Sequence, residues 1–348
     1  MTKQIIIGIT CILTFIQCTG SEPDKIDGLF SAYQNDSPGA AVMVIHHGEI
    51  VLERYYGLAD LSAKTRVSSH TNFRLASVSK QFTAMAILQL VDQGLIDFST
   101  GLNELFPEFP DYADDINYGQ ILHHTAGLID YEKLIPASST IPVKDIDVLK
   151  LLIQQDSTYF PPGSNYHYSN SGYALLALTV ERLSGLKFSE YLQQNIFRPL
   201  EMDATIAFVE GLNQVTNRAY GYNVETNEVD LSDQSMTSSV LGDGGIYSSV
   251  SDLYKWDQAL YDFDLISEAL LDSAFTPWME NYGCGWRIED YKGNKRISHT
   301  GSTCGFRTVF QRFPESTFSV IILTNRREPG VQYLAEALTD IYLLGEKD

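Results

Sequence analysis

The sequence predicts an α+β fold: one antiparallel sheet formed by N- and C-terminal strands, flanked by helices, with an inserted, mainly helical lobe. Three observations carry this expectation. Two alternating runs, Ala40–His46 and Glu49–Tyr56, lie near the start of the chain, and three strand-like runs, Arg296–Thr300, Phe306–Phe313 and Thr317–Thr324, recur at short spacing near its end. Between the two groups the apolar residues follow helical periods. With 348 residues, 44% of them hydrophobic, the chain can bury a large core, which excludes a disordered or fibrous protein.

In chain order, residues 1–17 read as a secretory signal: Lys3 is their one basic residue, an apolar run extends from Ile5 to Ile16, and no acid interrupts it. That run is well short of the roughly 20 residues a spanning helix needs. Cys18 closes it and is followed by Thr19, Gly20 and Ser21, which resembles the cleavage site of a bacterial lipoprotein, where the cysteine is lipidated. The alternative is an ordinary exported protein with a chance cysteine. Both place the protein in the periplasm or cell envelope, with membrane contact only through an N-terminal lipid at Cys18. Residues 18–38 form a linker, and residues 39–345 form one domain whose helical lobe spans about 95–235.

Within that domain His47-Gly48 joins the first two runs as a β-hairpin. Residues 77–93 are apolar almost all round and stop at Gly94, so they form a helix buried in the core. A second helical run, Tyr173–Leu183, stops at Gly185, and an amphipathic helix from about Val331 to Leu344 closes the chain. If Tyr282–Ile288 and Arg296–Thr300 pair through a turn near Gly293, position 284 faces about 302, and Cys304 is its diagonal neighbour. A Cys284–Cys304 disulfide and two small buried thiols both remain open.

Composition removes several functions. Lys plus Arg total 24 against 44 Asp plus Glu, a net charge of −20, so nothing draws the surface to phosphate backbones and nucleic acid is not an expected partner. The four cysteines, Cys11, Cys18, Cys284 and Cys304, form no C-x-x-C pair, which fits neither a zinc ribbon nor a disulfide framework. No G-x-S-x-G elbow and no H-E-x-x-H pair occurs, and His123-His124 reads as structural rather than as a metal site.

The chemistry begins at Ser77-Val78-Ser79-Lys80, which opens the most hydrophobic helix. A spacing of three puts both side chains on one face. A serine hydroxyl is a weak nucleophile until a neighbour takes its proton, and an adjacent lysine amine can be that neighbour. The same spacing at Ser184–Lys187 lies at a helix end beside a glycine and reads as a C-terminal cap with a solvated lysine. Tyr168-Ser169-Asn170 precedes the second helix; a tyrosine there can relay protons, and the Asn amide can orient a carbonyl. Tyr33-Gln34-Asn35 has the same pattern without the setting. The third fragment, His299-Thr300-Gly301, ends a strand, where a side chain can reach a ligand and a glycine admits close approach. His46-His47-Gly48 is the comparable triplet in a hairpin turn.

In this order the three fragments resemble the S-x-x-K, polar-x-Asn and K-T-G set of penicillin-binding proteins and serine β-lactamases. With Tyr-x-Asn and His-Thr-Gly the chain most closely resembles the class C β-lactamase-related serine hydrolases, a group that includes DD-peptidases, D-amino-acid peptidases and esterases. Phe73–Ala76, Leu122–Leu128 and Gly242–Ser249 also look like segments of this group, so the likeness runs from about Pro38 to Leu344. The resemblance implies a β-lactamase/transpeptidase-like fold and an acyl-enzyme. It makes Ser77 the nucleophile, shares the proton transfers between Lys80 and Tyr168, and gives Asn170 the substrate amide or the support of Lys80. It puts His299 on the opposite wall, counts Thr300 and Gly301 with it as substrate-binding, and builds the oxyanion hole from the backbone N–H groups of Ser77 and Ser302.

No cofactor or metal is implied, and the expected partner is a small-molecule or peptide substrate. Two alternatives stand beside this: a true β-lactamase, and a non-catalytic binder of penicillin or cell-wall fragments on the same fold. His299, where the β-lactamases carry lysine, separates the first. A histidine of ordinary pKa near 6.5 is mostly neutral at pH 7, so a substrate carboxylate should bind weakly, and its binding should weaken further as the imidazole loses its proton.

Overall fold

The computed structural model describes residues 22–225, 228–262 and 265–345, with side chains from residue 25 onward. The signal segment and Cys18 lie outside the described residues. Six strands build the main sheet: β1 (Ala40–His46), β2 (Glu49–Tyr56), β3 (Arg287–Tyr291), β4 (Asn294–Thr303), β5 (Phe306–Phe313) and β6 (Phe318–Thr324). Their spatial order is β3-β4-β5-β6-β1-β2, every neighbour antiparallel, so the two chain ends meet where β1 pairs with β6.

Strand period two explains why β1 and β6 are buried along their length. Ala41, Met43, Ile45, Ile321 and Leu323 point into one core, and Ala40, Val42, Val44, Val320 and Ile322 into another on the opposite face. The second core is closed by α1 (Glu22–Leu29), through Ile26, and by the C-terminal helix, Gln332–Tyr342, through Leu334 and Leu338. His47 and Gly48 both take positive φ, 53° and 78°, which turns the β1–β2 hairpin in the hand the strand twist requires.

The first core is centred on α2 (Lys80–Asp92), entered from a 3₁₀ turn, Ala76–Ser79. Every residue of α2 from Lys80 to Leu90 is buried, and Phe82 packs against Trp256 and Phe197 at ring distances of 4.6 and 5.4 Å. Against the core lies α3 (Asp145–Leu152), packed on α4 (Asn170–Ser184), and α4 and the short α5 (Leu241–Gly244) pack on α2. Gly185 ends α4 at φ 72°, and the nearby Lys187 is solvated and pairs with Glu181 at 3.4 Å, as the cap reading expects. Among the described residues no helix is long and apolar enough to cross a membrane.

The hairpin of β3 and β4 turns at Gly293, but pairing starts at Arg287–Ser298, so Cys284 precedes the strand and faces no residue of β4. Cys284 and Cys304 are free thiols. Cys284 is buried with its sulfur 3.9 Å from His123 Nε2, and burial pushes the thiol up to about 12.

Candidate active site

Ser77 sits where three elements converge, and the backbone there is held against its preference. Ala76 has φ 50°, a conformation that costs an L-residue energy and persists only when the surroundings impose it. The surroundings are β4 and β5. Thr308 Oγ1 donates to the Leu75 carbonyl at 2.7 Å, and Gly301 of β4 lies so close that a Cβ there would stand 2.1 Å from the same oxygen. The glycine of the His-Thr-Gly triplet therefore lets the strand seat itself on the turn that presents Ser77.

Lys80 follows one turn later and is fully buried. Its Nζ lies 3.2 Å from Ser77 Oγ and donates to Asn170 Oδ1 and to the Asp243 carbonyl, each at 2.8 Å. Among the described residues no carboxylate bonds it directly. Asn170 is the first residue of α4, whose N-cap Ser169 accepts the Gly172 N–H; that cap fixes where the amide emerges. Its other end is engaged too, since Nδ2 donates to Glu132 Oε1 at 2.6 Å. Both ends of the Asn170 amide are thus engaged, one by Lys80 and the other by Glu132.

Tyr168 stacks beside this network: the Lys80 ammonium position lies 4.9 Å from its ring centroid, and the ring of His124 lies 4.4 Å away. Its hydroxyl is buried and has no hydrogen-bond partner among the described residues, so it contacts neither Ser77 nor Lys80 in this state. His124 positions the loop: the Ser169 N–H donates to its Nδ1 at 3.1 Å, and burial holds the ring neutral, far below the ordinary imidazole range. A cavity of about 110 Å³ opens on Ser77, with Tyr131, Glu132, Asn170, Asp243 and Ser302 in its wall.

A fold of this topology with this constellation has known counterparts. The beta-lactamase family model matches residues 26–343. Penicillin-binding protein 4* of Bacillus subtilis is 32% identical over 309 residues, covering 82% of this chain and 68% of that protein. The chain belongs to the beta-lactamase family. A D-aminopeptidase of Brucella ovis is 27% identical, across 83% of this chain, which spans only 56% of that enzyme's length. The solved penicillin-binding protein of Bacillus halodurans superposes with a TM-score of 0.78 at 26% identity, over 92% of this chain and 99% of that one. The protein is accordingly a serine hydrolase of the beta-lactamase and penicillin-binding-protein fold.

Within this beta-lactamase-family site His299 departs from expectation. It does not line the cavity: its side chain is buried, Nδ1–H donates to the Thr300 carbonyl at 2.7 Å, and Nε2 accepts the Tyr282 hydroxyl at 3.0 Å. Burial first, and the nearby Lys80 charge second, push its pKa down to about 3. The ring is neutral throughout the physiological range, so it is neither a cation for a substrate carboxylate nor a group that titrates near 6.5. Thr300 points to solvent and Gly301 is the packing contact already described; of this strand end, Ser302 and Thr303 reach the cavity.

Four contributors were not visible as side-chain motifs. The Asp243 carbonyl completes the Lys80 shell, Glu132 holds Asn170, Tyr131 donates to Asp243 Oδ2 at 2.9 Å, and Tyr282 locks His299. The segments 122–128 and 242–249 did stand out in the sequence, yet nothing in them tells that a backbone oxygen is the working atom.

Proposed function

We propose that the protein cleaves an ester, amide or D-amino-acid peptide bond through an acyl-enzyme on Ser77. One observation carries the reading: both carbonyl acceptors of Lys80 Nζ are fixed, at 2.8 Å, and its third hydrogen-bond partner among the described residues is Ser77 Oγ. A neutral amine has two N–H donors and one lone pair. With the donors held by Asn170 and Asp243, the lone pair faces the serine hydroxyl and can take its proton. After that transfer the ammonium has a third N–H for the serine oxygen, so neither charge state requires rearrangement.

Ser77 Oγ then attacks the carbonyl carbon, and the developing oxyanion is received by the backbone N–H groups of Ser77 and Ser302. Collapse expels the leaving group, which takes a proton from Lys80 directly or through the Tyr168 hydroxyl, which has no hydrogen-bond partner among the described residues. Water reverses the sequence, breaking the Ser77 ester and releasing the acid. Likeness to a D-aminopeptidase supports an acyl donor of the D-amino-acid type. The locked, neutral His299 argues against efficient β-lactam turnover, which needs a cation for the β-lactam carboxylate; Arg74, in the cavity wall, is already committed to Gln234 and to the Ser238 carbonyl.

Turnover of a D-alanyl anilide, a short nitrophenyl ester and a chromogenic cephalosporin by the wild type and by Ser77→Ala tests the proposal. The expected result is cleavage of the first two, poor cephalosporin turnover, and loss of on the order of 10³-fold or more in kcat for the variant. Full activity in Ser77→Ala overturns it. Cephalosporin turnover near 10⁷ per molar per second, toward the diffusional range, makes the β-lactamase reading the better one. We further propose export, with residues 1–17 as signal and Cys18 as lipid anchor.

A further inference from the structure

The second acceptor of Lys80 is a backbone oxygen on α5, a single four-residue turn that cannot hold its own conformation. Three side chains pin it. The Asp145 carboxylate, at the start of α3, accepts the N–H groups of Leu241 and Gly242, each at 3.0 Å. Thr83 of α2 donates to the Gly242 carbonyl at 2.7 Å, and Tyr131 donates to Asp243 Oδ2. Gly242 leaves no slack, since a Cβ there would lie 2.1 Å from the Tyr173 carbonyl of α4. Of the three, only Asp145 holds the N-terminal N–H groups of the turn, and so sets the direction in which its carbonyls emerge.

We propose that Asp145 is a positioning residue for catalysis: through α5 it aims the Asp243 carbonyl at Lys80 and thereby orients the amine toward Ser77. The inference rests on the acyl-enzyme reading above. Asp145 touches neither Ser77 nor Lys80 by any hydrogen bond; it acts through the turn.

The arrangement depends on proton occupancy. An ionised carboxylate can accept both N–H groups, whereas a protonated one presents an O–H donor to one of them and loses that bond. Burial, and after it the like charge of Asp243, raise Asp145 to about 7 against the two N–H groups that lower it. The groups around it are Asp243 from α5, Tyr131 from the 131–134 turn, Lys144 and Asp147 on its own segment, and Glu181 and Lys187 across a cavity of about 660 Å³ that Asp145 also lines. The exposed Ile141 lines the same cavity, and Asp145 itself is 8% exposed. With a raised carboxyl, both bonds to the turn are present above the folded pKa and one of them is lost below it.

The test is the rate constant for covalent labelling of Ser77 by a fluorophosphonate between pH 5.5 and 8.5, with Tm measured in parallel, for wild type, Asp145→Asn and Thr83→Val. The expected wild-type rate rises through pH 7. Asp145→Asn should lower it at least about tenfold at pH 8 and abolish that rise, leaving only the limb of Asp243, itself raised to about 6 by burial. Thr83→Val, which removes one pin without a titrating group, should lower the rate several-fold and keep the rise. A folded Asp145→Asn with wild-type rate and profile overturns the inference, as does a lowered Tm with an unchanged profile. Should that variant not fold, an unaltered rate in Thr83→Val overturns it. Wild type unlabelled at Ser77 instead overturns the acyl-enzyme reading, and this inference with it.

Discussion

Gly301→Ala probes how β4 presents the nucleophile. The added methyl would meet Leu75 O at 2.1 Å, Thr308 Oγ1 at 2.3 Å and Ala76 Cβ at 3.1 Å. The first two atoms are already bonded to each other at 2.7 Å, so neither is the loose end of a flexible side chain. Relief requires the strand and the 75–77 turn to separate by about 1 Å, and overpacking of this kind costs about 1–3 kcal/mol. The rigid neighbours put it at the upper end, and at about 2.1 cal/mol/K of unfolding entropy per residue this is a fall in Tm of about 3–5 °C. The same displacement moves Ser77 relative to Lys80, and misplacement by 1 Å costs on the order of 10²-fold in rate. Differential scanning calorimetry and the labelling rate of Ser77 measure the two effects. Gly28→Ala, in α1 with nothing within 4 Å of its Cβ position, is the control and should leave the labelling rate unchanged and Tm unchanged or slightly raised. A Gly301→Ala protein with wild-type Tm and a labelling rate within twofold of wild type refutes the argument.

Lys80→Met keeps the volume of the buried stem but removes the amine, so steady-state assays should show kcat lower by on the order of 10³-fold in a protein that still folds; near-normal kcat would remove Lys80 from the proton path. For His299, folded near 3 and unfolded near 6.5, the depressed pKa means stability that is complete above about 6.5 and declines as pH falls toward 3. Its ring resonances should accordingly stay constant from pH 5 to 8 in an NMR titration, and a midpoint inside that window would contradict the buried assignment. If Cys18 is the anchor, mass spectrometry of membrane-fraction protein should find acyl chains on it, and Cys18→Ser should release soluble protein or retain the precursor; wild type without acyl mass refutes this.

The strands were legible because their chemistry is local. Ala40–His46, Glu49–Tyr56 and Phe306–Phe313 coincide with the observed strands; the first and third alternate between two apolar cores, and the second, at the sheet edge, buries Leu52 and Tyr56 in one of them. β4 runs three residues beyond Thr300, through Gly301, Ser302 and Thr303, because those residues pair with β5 while two of them carry no apolar side chain and the third none at all. In the site, the three-residue spacing of Ser77 and Lys80 foretold their shared face, and the structure puts them 3.2 Å apart. What pairs with them was not readable: Asp243 acts through a carbonyl that every residue possesses, and Asp145 through two N–H groups 96 and 97 positions away. His299 looked like a substrate contact because it lies near the strand end whose Ser302 and Thr303 line the cavity; its state is set by Tyr282, which reaches it from another segment, and by burial.

The most direct test of the central claim is the site of covalent modification. Purified protein incubated with a penicillin or a fluorophosphonate, digested and mapped by mass spectrometry, should carry one adduct on the peptide containing Ser77, and Ser77→Ala should carry none. An adduct on Ser184, or on Ser302 with Ser77 unmodified, would contradict the account.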